Sequence, residues 1–396
     1  MARVVFLNRF YWPDEPATAQ LLTDLAEALA AAGREVVVIT SRPGGSDFPR
    51  REQQRGVTIL RVAATRLGHR GLPGKAADFV TFYLGALWQL GLFARRGDAI
   101  VALTDPPLLG VGAWLIARLR GARIFHWVQD IYPEVAVTLT GHRWLGLVRP
   151  LRNLAWRRSD GCVTLGADMA GVLTRAGIPP ARIAISPNWA PAGLTVQLCD
   201  AADALRAEWQ LTGKFIIAYS GNLGRVHDLA PLLDVAAALR DEANIALVFI
   251  GTGALRDRLE AQARSRGLAN VHFFPPQPRA RLAESLALGD LHLVTLAAGC
   301  ESFVFPSKVY GVTAVGRPVI FIGPRDCEVA RLVFGQGFGL AFAPGQTAAI
   351  AAAIRELRTG AGRLQQLGAA AAVFGRDHSG PTGATVIWEN LLSPAS

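Results

Sequence analysis

Short apolar runs bounded by turn formers recur along this chain and alternate with longer stretches of helical period. Val4–Leu7, Glu35–Thr40, Val57–Val62, Ala99–Leu103, Arg123–Val128, Gly161–Leu165 and Ile183–Ser186 read as buried strands. Between the first two, Pro16–Ala32 carries Leu21, Leu22, Leu25 and Leu29 on one helical face, and Leu108–Arg120 reads as another helix. The alternation restarts in the second half. Strands Phe215–Ser220, Ala246–Gly251 and Asn270–Phe274 are separated by helices near Leu229–Arg240 and Leu255–Arg266. Leu291–Leu296, Pro318–Ile322 and Gly339–Phe342 continue the strands, and the helical runs Thr347–Thr359, Gly362–Phe374 and Val386–Leu391 close the chain. Apolar strands joined by helices predict parallel sheets covered on both faces. The expected fold class is α/β, two doubly wound domains in tandem.

Length agrees, because 396 residues exceed one ordinary core. The turn-rich Ser186–Gly193 closes the first sheet, and the stretch up to Asp200 reads as a linker. The predicted domains are residues 1–195 and 196–380, with a closing helix in 381–396 that packs back on the first domain. With 51% hydrophobic and 18% charged residues the chain is globular, not disordered or fibrous.

Charge is uneven. Residues 1–200 hold 23 Lys+Arg against 15 Asp+Glu, residues 201–396 hold 18 against 16, and the net is +10. An arginine-rich half suits an anionic partner. The arginines are not interleaved along one motif, so nucleic acid is not expected. Four scattered cysteines without CxxC predict neither a disulfide framework nor a metal site. The first residues enter a strand without a secretory pattern, so the expected location is cytoplasmic.

Candidate chemistry gathers at strand ends. After Leu291–Leu296 come a small-residue turn, Glu301, and Pro306-Ser307-Lys308 opening a short helix. In open α/β sheets ligands bind at the carboxyl ends of the strands. A carboxylate for hydroxyls, with Ser307 and Lys308 for phosphates, suits a nucleotide-sugar. The loop Gly221-Asn222-Leu223-Gly224-Arg225 lets backbone approach a diphosphate, with Arg225 to pair with it. Gly251 and Gly253 end the next strand in the same manner, and Phe274-Pro275 offer a flat surface to a base.

In the first half, Asp130 and Glu134 follow a strand end in WVQDIYPE and are candidates to orient or deprotonate a hydroxyl. The competing reading is a helix cap and a first-turn acid. Trp12, Thr18 and Gln129 are the candidate acceptor contacts. The loop that holds Trp12 and Thr18 lacks GxGxxG, which argues against a dinucleotide there. Residues 79–94 lack charge but are short for a bilayer span. Two readings stand: a core helix, or one exposing an apolar stripe rimmed by Arg66, Arg70, Lys75, Arg95 and Arg96 to a lipid interface. Arg143, Arg149, Arg152, Arg157 and Arg158, among Trp144, Leu147 and Trp156, form a basic aromatic surface suited to anionic lipid or a pyrophosphate-linked acceptor.

The runs FLNRFYWPDEPATAQLLTDLAEAL, WVQDIYPEVA, SPNWA, YSGNLGR, FIGTGALRDRLE and FPSKVYGVTAVGRPVIFIG resemble family-4 retaining glycosyltransferases of the GT-B type, most of all their colanic-acid and exopolysaccharide branch. The resemblance implies two Rossmann-like domains facing across a cleft. It implies transfer of a sugar, of hexosyl type, from a nucleotide-diphosphate-sugar to a saccharide or polyprenyl-diphosphate-linked acceptor, with retention and without a metal or other cofactor. In such a protein Asp130, Glu134 and Glu301 are catalytic, and Gly221, Asn222, Gly224, Arg225, Gly251, Gly253, Phe274, Pro275, Ser307 and Lys308 bind the donor. The family's paired glutamates fall at Phe303 and Gly311 here, so Glu301 is offset and the second acid is absent. Peripheral contact with the inner face of the plasma membrane is a further expectation. The alternatives are a non-catalytic nucleotide-sugar-binding protein at the membrane and a nucleotide-sugar epimerase.

Overall fold

The computed structural model describes residues 3–43, 48–68, 71–191, 193–194, 196 and 199–393. By its internal contacts the chain divides into two units, Met1–Asn188 with Gly380–Ser396, and Trp189–Ser379. Arg70 and part of the expected linker lie outside the described residues.

The first unit is built on β1 (Val4–Leu7), β2 (Val36–Ser41), β3 (Arg51–Gln54), β4 (Val57–Val62), β5 (Ala99–Leu103), β6 (Arg123–Val128), β7 (Gly161–Thr164) and β8 (Ile183–Ile185). They form one sheet in the order β3-β4-β2-β1-β5-β6-β7-β8. All neighbours are parallel except β3, which pairs antiparallel with β4. That edge strand escapes sequence reading because its residues, Arg-Glu-Gln-Gln, carry no apolar signal. The helices are α1 (Ala17–Ala31), α2 (Leu72–Phe93), α3 (Leu109–Arg120), α4 (Glu134–Thr140), α5 (Arg149–Arg157) and α6 (Ala167–Arg175). On α1 the leucine face predicted from spacing is the buried one. Helix α2 begins well before the uncharged run. Asp78 accepts hydrogen bonds from the backbone N–H of Leu67 at 2.7 Å and of Gly68 at 2.9 Å, which folds the preceding turn onto the helix.

The second unit holds β9 (Phe215–Ser220), β10 (Ile245–Ile250), β11 (Val271–Phe274), β12 (Leu291–Thr295), β13 (Val319–Ile322) and β14 (Gly339–Phe342). They make a sheet in the order β11-β10-β9-β12-β13-β14, parallel at every pairing. Its helices are α7 (Cys199–Glu208), α8 (Ala230–Ala238), α9 (Arg256–Ser265), α10 (Leu282–Ala287), α11 (Lys308–Ala314), α12 (Glu328–Gly335), α13 (Thr347–Thr359) and α14 (Ala361–Asp377). Alternate residues of β9 and β10 feed two cores. Ile217, Tyr219, Leu247 and Phe249 face one layer, and Ile216, Ala218, Ala246 and Val248 pack with Leu205 of α7. The chain order reverses between β9 and β12, so a crevice is expected beyond Ser220 and Thr295.

The last helix, α15 (Thr382–Leu392), belongs to the first unit. Its Trp388 is fully buried, with edge contacts to Phe6 at 6.2 Å and Trp127 at 5.4 Å between ring centroids. Arg34 after α1 grips Glu389 through Nε at 2.9 and 3.1 Å.

Candidate functional site

Backbone glycines shape the crevice of the second unit. Gly221, Gly251 and Gly253 have φ of 123°, 147° and 155°, where a side chain is strained. A Cβ on Gly251 would lie 2.0 Å from the Gly221 carbonyl oxygen, and one on Gly253 would lie 2.6 Å from Asn222 Oδ1. The loops after β9 and β10 therefore touch backbone to backbone. Leu223 N–H donates to the Thr252 carbonyl at 2.9 Å, which fixes the approach. Arg256 on α9 donates to the carbonyls of Gly251 at 2.6 Å and Phe274 at 2.9 Å, tying the ends of β10 and β11. Arg256 was not foreseen, because nothing local marks a side chain as a clamp on strand ends.

Lys308 enters this crevice from the first turn of α11. Its Nζ donates to the Tyr219 hydroxyl and sits 3.7 Å from the centroid of that ring. A Cβ on Gly221 would be 3.9 Å from the same nitrogen. No carboxylate pairs with Lys308 among the described residues, and burial lowers its pKa to about 7. Tyr219 is itself fixed, donating to the Asn222 carbonyl at 3.0 Å. His227 lies near, with Nδ1 at 3.2 Å from the Thr295 carbonyl. Burial first, then the Lys308 charge, push its pKa down to about 3, so the ring is neutral. Tyr219 and His227 had no assigned role from sequence; the strand-to-loop run holding them was the only signal.

The other predicted donor residues fall around this point in different states. Asn222 and Arg225 are exposed, and among the described residues no ion pair holds Arg225. Arg225 opens the turn that ends at His227, whose ring feels the Lys308 charge. Gly224 precedes that turn in extended conformation. Ser307 is the N-cap of α11 and makes no side-chain cap bond. Glu301 lies in the turn after β12, and its Oε2 is buried without a hydrogen-bond partner. The Ala297 N–H donates to the Val226 carbonyl at 2.8 Å and ties that turn to the glycine loop.

The reading of Phe274 is corrected. Its ring stacks on Trp209 at 3.8 Å and 7°, and its carbonyl accepts from Arg256, so it offers no free face on that side. Pro275, next along, is exposed. At Gly311 a Cβ would stand 3.3 Å from Leu286 Cδ1, so this part of α11 is packed against α10.

In the first unit Asp130 follows β6 and is partly buried, its N–H donating to Thr104 Oγ1 at 3.3 Å. Burial, then the charge of Asp105, raise its carboxyl to about 6. Asp105 lies just past β5 and pairs with Arg9 after β1 at 3.3 Å, across the point where this sheet reverses order. Neither Asp105 nor Arg9 stood out in sequence. A small cavity beside Asp130 is lined by Thr104, Leu108, His126, Tyr132 and Arg152. His126 Nε2 is buried there without a partner, and burial lowers its pKa to about 4.

Three first-unit expectations change. Glu134 is no free base: Arg152 binds both its oxygens, at 2.5 and 2.9 Å, and Arg149 reaches it at 3.2 Å. Arg152 is correspondingly buried and takes the Tyr132 carbonyl at 2.6 Å, so it leaves the proposed basic surface. Gln129 is also occupied. Its amide exchanges hydrogen bonds with Asn188 at 3.2 and 3.1 Å in a buried pair, leaving little for an acceptor. Trp12 stands edge-on to Phe48 at 5.7 Å, and Thr18 is half-buried in the first turn of α1. Among the described residues no group of three His, Cys, Asp or Glu could hold a metal.

Two domain families match in tandem: a glycosyl transferase 4-like domain over residues 18–189 and glycosyl transferases group 1 over 202–373. The glycosyltransferase WbjE of Pseudomonas aeruginosa is 30% identical over 301 residues, covering 74% of this chain and 72% of that protein. The colanic acid biosynthesis glycosyl transferase WcaI of Escherichia coli (strain K12) is 28% identical over 366 residues, covering 87% of this chain and 89% of its own. Among solved structures, HepE of Anabaena in complex with UDP-glucose superposes with a TM-score of 0.76 at 16% identity, over 99% of both chains. WaaG, a glycosyltransferase involved in lipopolysaccharide biosynthesis, gives 0.73 at 16% identity, over 97% of this chain and 99% of that one. With both halves matched in order and a parallel sheet in each, the chain belongs to the family-4 glycosyltransferases of GT-B fold.

Proposed function

We propose that this glycosyltransferase moves a hexosyl group from a nucleotide-diphosphate-sugar to a saccharide or polyprenyl-diphosphate-linked acceptor, with retention, in exopolysaccharide synthesis of the colanic-acid kind. The observation that carries the donor half is Lys308, a half-buried lysine beside the Gly221 loop with no carboxylate partner among the described residues. HepE, of like fold, has been solved with UDP-glucose, which supports a diphosphate at this crevice. The relatives named for colanic acid and as WbjE support the biosynthetic setting.

Transfer breaks the bond between the anomeric carbon and the phosphate oxygen, and negative charge grows on the diphosphate. Lys308, Arg225 and the loop N–H groups stabilise that charge. The acceptor oxygen bonds to the anomeric carbon on the face the phosphate leaves, and its proton passes to the departing phosphate oxygen. Glu301, with one unpartnered oxygen, holds donor-sugar hydroxyls. Asp130 orients the acceptor and Glu134 acts through Arg152 as a positioning residue. With glycine at 311, the ribose is recognised without the family's second carboxylate.

The test is a thermal-shift panel of nucleoside diphosphates and nucleotide-sugars, followed by turnover with the donor that binds. Lys308→Ala should lower kcat on the order of 100-fold, the usual cost of losing one such donor. Near-normal turnover at saturating donor would sink the assignment. Donor binding without transfer to any acceptor would favour a non-catalytic binding protein.

A further inference from the structure

The outer layer of the first unit carries an unusual surface. Along α2, Val80, Leu84, Trp88 and Leu92 recur every fourth residue and are 54%, 68%, 71% and 62% exposed. Helix α3, packed beside α2, adds Leu115 and Leu119. The 3-10 turn Arg143–Val148 and α5, on the other side of α3, add Trp144, Leu147 and Leu151. Of fourteen exposed large hydrophobics among the described residues, nine lie in this layer, so they form a patch and not scatter.

Charge says what covers it. Arg95 and Arg96 follow α2, and Arg118 and Arg120 end α3; all four are exposed and none is ion-paired among the described residues. Gly121 abuts Arg96, and Arg120 donates to the Gly91 carbonyl, so both helix ends and their arginines form one cluster. Between Phe79 and Gln129 the only acids are Asp98 and Asp105, each held by an arginine. Between Val135 and Ser159 there is none, against Arg143, Arg157 and Arg158, with Arg149 and Arg152 taken up by Glu134. A second copy on this face would set arginine cluster near arginine cluster under two-fold symmetry. Anionic lipid meets both the apolar stripe and the cations.

We propose that α2, α3 and the Arg143–Arg157 segment dock this protein on an anionic bilayer, with α2 lying in the interface plane. Helix α2 is long and apolar enough to span. Spanning is opposed by its place as the β4–β5 crossover: Phe82, Ala86 and Leu90 are fully buried in the core with Val5, Ile39 and Ile100, and would have to be pulled out. Lying flat, the helix keeps that core and gives its free face to acyl chains. The inference does not rest on the sugar-transfer reading, because binding is scored with no donor or acceptor present.

The test is co-sedimentation of the full chain with phosphatidylglycerol–phosphatidylcholine vesicles and with phosphatidylcholine alone, at low and high salt. Wild type should bind the anionic vesicles, and salt should weaken it. Leu84→Glu with Trp88→Glu should lower partitioning on the order of 100-fold, about tenfold for each large side chain no longer buried. Arg95→Glu with Arg96→Glu should lower it at least about 25-fold, roughly fivefold per cation lost. Both pairs are exposed, so melting should stay as wild type. No binding to anionic vesicles, or equal binding by both variants, would overturn the proposal. So would a wild-type dimer by light scattering that Leu84→Glu turns into a monomer, since the occupant would then be a second copy.

Discussion

Lys308 predicts a specific proton exchange on donor binding. Burial lowers its pKa from 10.5 to about 7, so above neutrality the free protein holds it mostly uncharged. A bound diphosphate favours the ammonium and returns the pKa toward its ordinary range. Binding must then take up a proton, about 0.1 at pH 6 and about 0.9 at pH 8. Donor affinity should be flat below about pH 6.5 and fall about tenfold per pH unit from about pH 7 to 9. An intact nucleotide-sugar is the right probe, since its diphosphate has no ionisation in that window. Calorimetry in buffers of different ionisation enthalpy reads the uptake directly. Lys308→Met should abolish the uptake and flatten the pH dependence while weakening binding. The sign for stability runs the other way from binding. A lysine with a lowered folded pKa contributes stability above its unfolded value that is lost as pH falls toward about 7. Lys308→Met should therefore melt no lower than wild type at neutral pH. Zero proton uptake at pH 8, or uptake that survives Lys308→Met, would refute the reasoning.

Two further outcomes separate chemistry from structure in the first unit. Arg152→Met should destabilise by about 2–4 kcal/mol, since it strands a Glu134 carboxylate that Arg149 only partly compensates; pairing it with Glu134→Leu should restore most of the loss in chemical denaturation. Asp130 has a folded pKa raised to about 6, so its contribution to stability is present below about 4 and lost as pH rises through 6. Asp130→Asn should thus raise neutral-pH stability by on the order of 1–2 kcal/mol, while the acidic limb of the activity–pH profile near 6 disappears.

The strands illustrate what a chain announces locally. Val57–Val62, Ala99–Leu103, Arg123–Val128 and Phe215–Ser220 stand at their predicted bounds, because strands buried on both faces must be mostly apolar. The glycines of the donor loops were legible for a similar reason: a residue type tolerated at φ of 123° or 147° stands out in any sequence. Polar β3 and helix α7 were not legible. The first lacks an apolar pattern, and the second sits among turn formers and is held by the burial of Leu205.

Sequence alone thus determined the two parallel sheets, the family, and the candidate loops, since periodicity and glycine placement are local properties. Tertiary structure decided which side chains are at liberty. Glu134, Gln129 and Phe274 had the right chemistry for substrate, yet each is engaged by a partner distant in sequence: Arg152, Asn188 and Trp209. Lys308, just as plain in sequence, was left against Tyr219 without a counter-charge among the described residues. A side chain's availability depends on which long-range neighbour satisfies it, and pairing across the sheet order is invisible to any local window.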